Sequence, residues 1–215
     1  MRGRDIKRYG YEWAGLYLIS TFPSVHYNID DYPALKDYLL SFGIERLEQT
    51  GKKHVVDGQH VTARKKTNNN WFETQDSISY VDDFFKPKIM YPNMTKFLPF
   101  YLDFKGFYQN DKSFMITGEK LAFLTAFLNS SLFKYCFIDN FPELQGGTRE
   151  LRKIFFDKIS VYQPDEETEK KFIQLVNDIQ ENYSLEQAIR IDNEIFKLYE
   201  LTEEERKQIG FIEIS

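Results

Sequence analysis

Three consecutive blocks decide how this chain is read: WFETQDSISYVDDFFKPKIMYPNMT (Trp71 to Thr95), YLDFKGFYQNDKSFMITG (Tyr101 to Gly118) and LAFLTAFLNSSLFKY (Leu121 to Tyr135). The first is led by Trp and predicts a strand over Phe84 to Met90, with Pro87 marking an edge or a strand start. The second predicts two strands, Tyr101 to Phe104 and Phe107 to Ile116, about a Lys105-Gly106 turn. The third is apolar on nearly all sides and predicts a buried helix over Leu121 to Ile138. Strands followed by helices give an α+β fold: a mixed, largely antiparallel sheet with packed helices, followed by a helical acidic C-terminal segment.

Working outward, LYLISTFPSV (Leu16 to Val25) is rich in β-formers and predicts a strand. Asp30, Asp31 and Pro33 open a helix through about Gln49, its apolar residues Leu35, Leu39, Phe42 and Leu47 recurring at helical spacing. GKKHVVDGQHVTARKKTNNN (Gly51 to Asn70) is polar, has no sustained helical period and reads as a long loop. Downstream, FPELQGGTRE (Phe141 to Glu150) is a glycine-punctuated loop, and Lys153 to Pro164 predicts a short helix or turn and then a strand. Asp165 caps an amphipathic helix with the apolar face Phe172, Leu175, Val176 and Ile179. A helix over Ser184 to Tyr199 follows, and Thr202 with Glu205 forms a capping box for the last one. The expected division is a core over 1–164 and an acidic helical segment over 165–215, packing on that core or on an upstream domain.

The 215 residues suffice for a real hydrophobic core. No apolar run approaches the roughly 18 residues that span a bilayer, and no signal-peptide-like stretch follows the basic N-terminus, so no membrane association is expected. The single cysteine, Cys136, sits in an apolar run and reads as a small core residue in a reducing, cytoplasmic setting. The net charge of −5 is unevenly spread. Residues 1–71 carry +3, residues 72–160 are balanced, and residues 161–215 carry −8. A mildly basic front is compatible with nucleic acid, and an acidic tail is not.

Candidate contacts follow from side-chain chemistry. In the polar loop, Lys52, Lys53, Arg64, Lys65 and Lys66 can neutralise phosphates. His60, Asn68, Asn69 and Asn70 can bond base edges or backbone, Asn suiting adenine and Arg or Lys suiting guanine. The bland alternative is a solvated loop whose Asn residues tolerate turn geometry. Lys86 and Lys88 share one strand face and could contact phosphate or simply protect an edge strand. Gln145, Arg149 and Arg152 flank the Gly146-Gly147 pair, which would admit a backbone or base closely. Trp71, Phe72 and Tyr80 could stack on bases, although aromatics there are more often structural.

Catalytic patterns are sparse. Asp83, Asp103 and Lys105 imitate a metal-dependent nuclease, but a turn at Lys105-Gly106 would carry the lysine away from a cleft. His26, His54, His60 and Cys136 do not make a zinc site. An Asn-Pro-Pro-aromatic motif, a glycine-rich cofactor loop and a Walker pattern are all missing.

The order of the three blocks, the opening RGRDIKRYG (Arg2 to Gly10) and the closing IDNEIFKLYELTEEERKQI (Ile191 to Ile209) together resemble the TaqI-like C-terminal specificity domain of fused, type IIG restriction-modification enzymes. That resemblance implies a target recognition domain for double-stranded DNA, with loops entering the major groove. It also implies that methylation of adenine and cleavage belong to an N-terminal methyltransferase/nuclease part of the same polypeptide. That part would use S-adenosylmethionine and Mg²⁺, while this chain would be no enzyme and would hold no cofactor. Two alternatives stay open: a non-enzymatic protein-interaction module docking through the acidic helices, and a Mg²⁺-dependent nuclease using Asp83, Asp103 and Lys105.

Overall fold

The chain opens by folding back on itself. Asp5, buried, takes hydrogen bonds from the Arg2 backbone N–H and guanidinium at 2.7–3.0 Å, fixing a short 3-10 turn over Gly3–Asp5. Glycine is required at position 3, because a Cβ there would lie 2.4 Å from the Lys112 carbonyl oxygen. Ile6–Lys7 (β1) then pairs antiparallel with Gly10–Tyr11 (β2). The computed structural model describes residues 1–96 and 98–211. They fall into two compact units, Tyr17–Val81 and the remainder, in which Met1–Leu16 joins the chain from Asp82 onward.

The Tyr17–Val81 unit holds Pro33–Leu40 (α1), Ile44–Leu47 (α2), Lys53–Val56 (β3) and Gln59–Thr62 (β4). Its first residues form no strand; Pro23–Val25 is a 3-10 turn, since proline fixes φ and removes a ladder donor. The helix expected to reach Gln49 is broken at Gly43, whose φ of +86° a helix does not accept. The polar stretch expected to be a loop contains the β3–β4 hairpin.

The other unit is built around Lys88–Pro92 (β5), followed by Met94–Thr95 (β6), Tyr101–Asp103 (β7) and Ser113–Ile116 (β8). The expected hairpin of β7 with β8 does not form. Both pair antiparallel with β5, giving the order β7-β5-β8. Lys88, expected on an edge, therefore lies in the central strand. Its ammonium is wholly buried against Asp103 and donates to the Phe84 carbonyl at 2.6 Å. Asp103 in turn accepts the Lys105 and Phe107 N–H groups, both at 2.9 Å.

The apolar block forms two helices, Leu121–Leu128 (α3) and Ser131–Asn140 (α4). The break falls at Asn129, whose amide both donates to and accepts from the Phe100 backbone at 2.8 and 3.1 Å. Ser130 then caps α4 by accepting the Phe133 N–H. Arg149–Glu150 (β9) pairs with β6, and Lys153–Phe156 (α5) precedes an extended segment; the expected strand before Pro164 is not formed.

Glu166–Glu181 (α6), Leu185–Leu198 (α7) and Glu203–Ile209 (α8) complete the chain, with Asp165, Ser184 and the Thr202/Glu205 capping box as their N-caps. The expected boundary at residue 164 does not coincide with the division into units. Phe172, Leu175, Val176, Ile179, Ile195 and Phe196 share one core with Phe100, Phe123, Phe127 and Phe133. Two tail carboxylates serve that packing directly. Glu169 accepts the Ala122 and Phe123 N–H groups at 3.0 and 3.1 Å, capping α3, which has no side-chain cap of its own. Asp192 accepts the N–H and hydroxyl of Ser131 at the start of α4, and burial pushes its carboxyl above the usual range. Gln180 bonds both backbone groups of Leu102, closing the outer edge of β7.

Candidate nucleic-acid interface

The β3–β4 hairpin turns through Asp57-Gly58, both with positive φ (50° and 78°), the conformation a two-residue turn needs to match strand twist. Register places Lys53 opposite Thr62 and Val55 opposite His60, so these four share one face, and all four are exposed. The opposite face carries His54 and Val61, and Val61 is buried. The ladder continues past the strands, with Ala63 N–H to the Lys52 carbonyl and Gly51 N–H to the Arg64 carbonyl, both 2.8 Å.

The residues after β4 are held by side chains bonded to backbone. The Arg64 guanidinium donates to the carbonyls of Leu47 (2.6 and 2.8 Å), Glu73 (3.0 Å) and Trp71. Burial pulls its pKa below the ordinary arginine value, though it stays protonated. Gln49, buried, donates to the carbonyls of Asn70 and Glu73 at 2.9 and 2.8 Å and accepts the Thr67 hydroxyl at 2.6 Å. The Asn69 amide donates to the carbonyls of Thr74 and Gln75. Arg64 and Asn69, expected as DNA contacts, are thus committed to building the loop. Lys65, Lys66, Asn68 and Asn70 are exposed along it, as are Lys52, Lys53 and His60 on the hairpin. Trp71 and Phe72 pack edge to face at 5.6 Å, with the Trp71 carbonyl under Arg64.

The remaining expected contacts lie in the other unit. Lys88 is wholly buried and cannot meet DNA; its place is the ion pair with Asp103. Lys86 is exposed and paired with Asp83 at 2.7 Å. Gln145 is exposed beside Gly146 and Gly147, which have φ of 75° and 78°. Arg149 bonds the Phe141 carbonyl, lies 3.3 Å from Glu143 and sits over the Phe137 ring, so its guanidinium is engaged by the end of α4 and the loop that follows it. Arg152 is exposed and paired with Glu150 at 2.8 Å.

The nuclease-like trio does not converge. Asp103 is buried under Lys88, whereas Asp83 is at the surface with Lys86 and Lys105 bonds the Tyr11 hydroxyl. Among the described residues there is no cluster of three or more His, Cys, Asp or Glu able to hold a metal, and no single helix long and apolar enough to cross a membrane.

Sequence reasoning passed over the hairpin although Asp57-Gly58, set between Val55-Val56 and Val61, is a strong two-residue turn signal. Compared with known families, the chain matches the model of the TaqI-like C-terminal specificity domain over residues 1–161. No curated protein matches it.

Proposed function

Since the chain belongs to the family of TaqI-like C-terminal specificity domains, DNA-sequence recognition modules of restriction-modification enzymes, we propose that it reads its target with the β3–β4 hairpin and the loop that follows. The observation that carries this is the exposed face of Lys53, Val55, His60 and Thr62, continued by Lys65, Lys66, Asn68 and Asn70. A two-stranded ribbon fits the major groove of B-DNA, and a groove reader needs both cations for phosphate and short polar groups for base edges. Here the bonds of Arg64, Gln49 and Asn69 hold the loop before DNA arrives, which lowers the ordering cost of binding.

The complete enzyme, in this reading, is a cytoplasmic type IIG protein. Its N-terminal part methylates adenine with S-adenosylmethionine and cuts nearby with Mg²⁺, while this chain chooses the site. The protein-interaction alternative is weakened because α6 and α7 spend their main apolar faces inside the core.

The test is selection of bound duplexes from a randomised pool. His60→Ala, Asn68→Ala and Asn70→Ala should each relax the preference at individual base positions, by about 1–3 kcal/mol for a true bidentate contact. Lys65→Ala with Lys66→Ala should weaken all sequences alike. An unchanged selected sequence in all of these variants would remove the hairpin and loop from recognition.

A further inference from the structure

The unit containing both termini holds an open cleft of about 1040 Å³ whose lining includes seven Lys or Arg side chains and a single carboxylate, Glu12. This concentration of positive charge stands out in a chain of net charge −5. The cleft lies between the β1–β2 turn, the segment leaving β5, and α4. Ile6, Tyr9, Leu98 and Pro99 line it from the core side and are buried, while Met94 and Ile138 are about half exposed (52 % and 54 %).

Lys7, Lys112 and Arg149 are paired with Glu12, Asp111 and Glu143, and the other four cations fall into two sets. Arg8 is fixed in place: its guanidinium donates to the Asn129 carbonyl at 2.7 and 3.2 Å and to the Tyr183 hydroxyl at 2.9 Å. Three of its five N–H donors are thereby used, and it meets no carboxylate at ion-pair distance among the described residues. Arg4, Lys96 and Lys134 are exposed and likewise have no ion-pair partner among the described residues. The buried Asp192 carboxylate acts on Arg8 from the core side, whereas the three exposed charges around the concavity have no carboxylate at ion-pair distance among the described residues and repel one another unless an anion is present.

We propose that this cleft takes the sugar-phosphate backbone of one strand of duplex DNA. Phosphates would meet Arg4, Arg8, Lys96 and Lys134, and deoxyribose carbons would lie on the apolar wall of Met94 and Ile138. Interactions of this kind position a protein on DNA without reading sequence. The inference rests on the reading of the chain as a DNA-binding module but uses none of the hairpin or loop residues.

The test measures binding of the full chain to a short fluorescent duplex of mixed sequence as NaCl is raised. In the Arg4→Ala, Lys96→Ala, Lys134→Ala triple variant, the salt slope should fall by about 0.9 for each phosphate that is no longer neutralised, and the sequence selected from a randomised pool should not change. A wild-type slope in this variant, with a reduced one in Lys65→Ala/Lys66→Ala, overturns the cleft and leaves the hairpin reading standing. No binding by the wild-type chain at low salt overturns both. Should the triple variant fail to fold, lysine acetylation of the wild-type chain decides. Duplex DNA should protect Lys96 and Lys134 but not Lys153, and equal labelling with and without DNA overturns the proposal.

Discussion

The two units are stabilised by different physics. The unit holding both termini buries a continuous aromatic core, with Phe100, Phe123, Phe127, Phe133, Phe141, Phe172 and Phe196 almost fully enclosed. Its free energy comes chiefly from apolar area removed from water. The Tyr17–Val81 unit buries only Phe22, Ile29, Val61 and Ala63 among its apolar residues, beside Thr21, Gln49 and Glu73. It is held instead by bonds from Arg64, Gln49 and Asn69 to backbone carbonyls. Carbonyls are the same at every residue, so such a scaffold tolerates changes in neighbouring exposed side chains. An interdigitated core would instead transmit each change.

The sharpest way to break this contrast is to put a large polar penalty into the apolar unit. Lys88→Met leaves Asp103 buried beside β5 without its counter-charge and should cost about 3–5 kcal/mol. Adding Asp103→Leu should restore only part of this, because the Lys105 and Phe107 N–H groups then lose their acceptor. Hydrogen exchange is the measurement: protection in β5 and α3 should collapse together. Retention of full protection in the single variant would show that the pair is not integral to that core.

Arg64→Lys should act on the other unit by about 2 kcal/mol, since an ammonium cannot reproduce a planar guanidinium's bonds to three carbonyls. Exchange should accelerate across residues 47–75 while β5 stays protected. Equal loss in both units would mean that they unfold as one body and that the contrast in their packing has no thermodynamic counterpart.

These differences explain what could be read from sequence. Periodic apolar faces and side-chain caps are local signals, and α6, α7 and α8 with Asp165, Ser184 and Thr202 follow from them directly. The break at Asn129 and the placement of Lys88 in a central strand depend on partners far along the chain, Phe100 and Asp103, which no local pattern names. Asp57-Gly58 was a legible turn, masked by the polarity of its surroundings. In the candidate interface, counting Lys, Arg and Asn singles out a chemically capable stretch. It cannot separate Arg64 and Asn69, which face backbone, from Lys65 and Asn68, which are exposed. The cleft cations Arg4, Lys96 and Lys134 are scattered through the sequence and come together only in the fold.

The smallest expected effect is also the one that separates the units by pH. Arg2 holds the Asp5 carboxyl below the usual carboxylate range by hydrogen bonding to it, and the pair fixes the turn that leads into β1. A carboxyl whose pKa is depressed on folding adds stability that is present above its unfolded value, about 3.9, and is lost as pH falls through the depressed folded value. Asp5→Asn should therefore lower the melting temperature near neutrality, and the gap from wild type should close on acidification through that window. The Arg64 guanidinium bonds only carbonyls, which do not titrate, so the gap produced by Arg64→Lys should persist through the same range. Thermal melts of the two variants against wild type from neutral pH down to about pH 3, below that unfolded value, provide the comparison. If the Asp5→Asn gap stays constant while the Arg64→Lys gap closes, the polar contacts of the two units have been assigned the wrong way round.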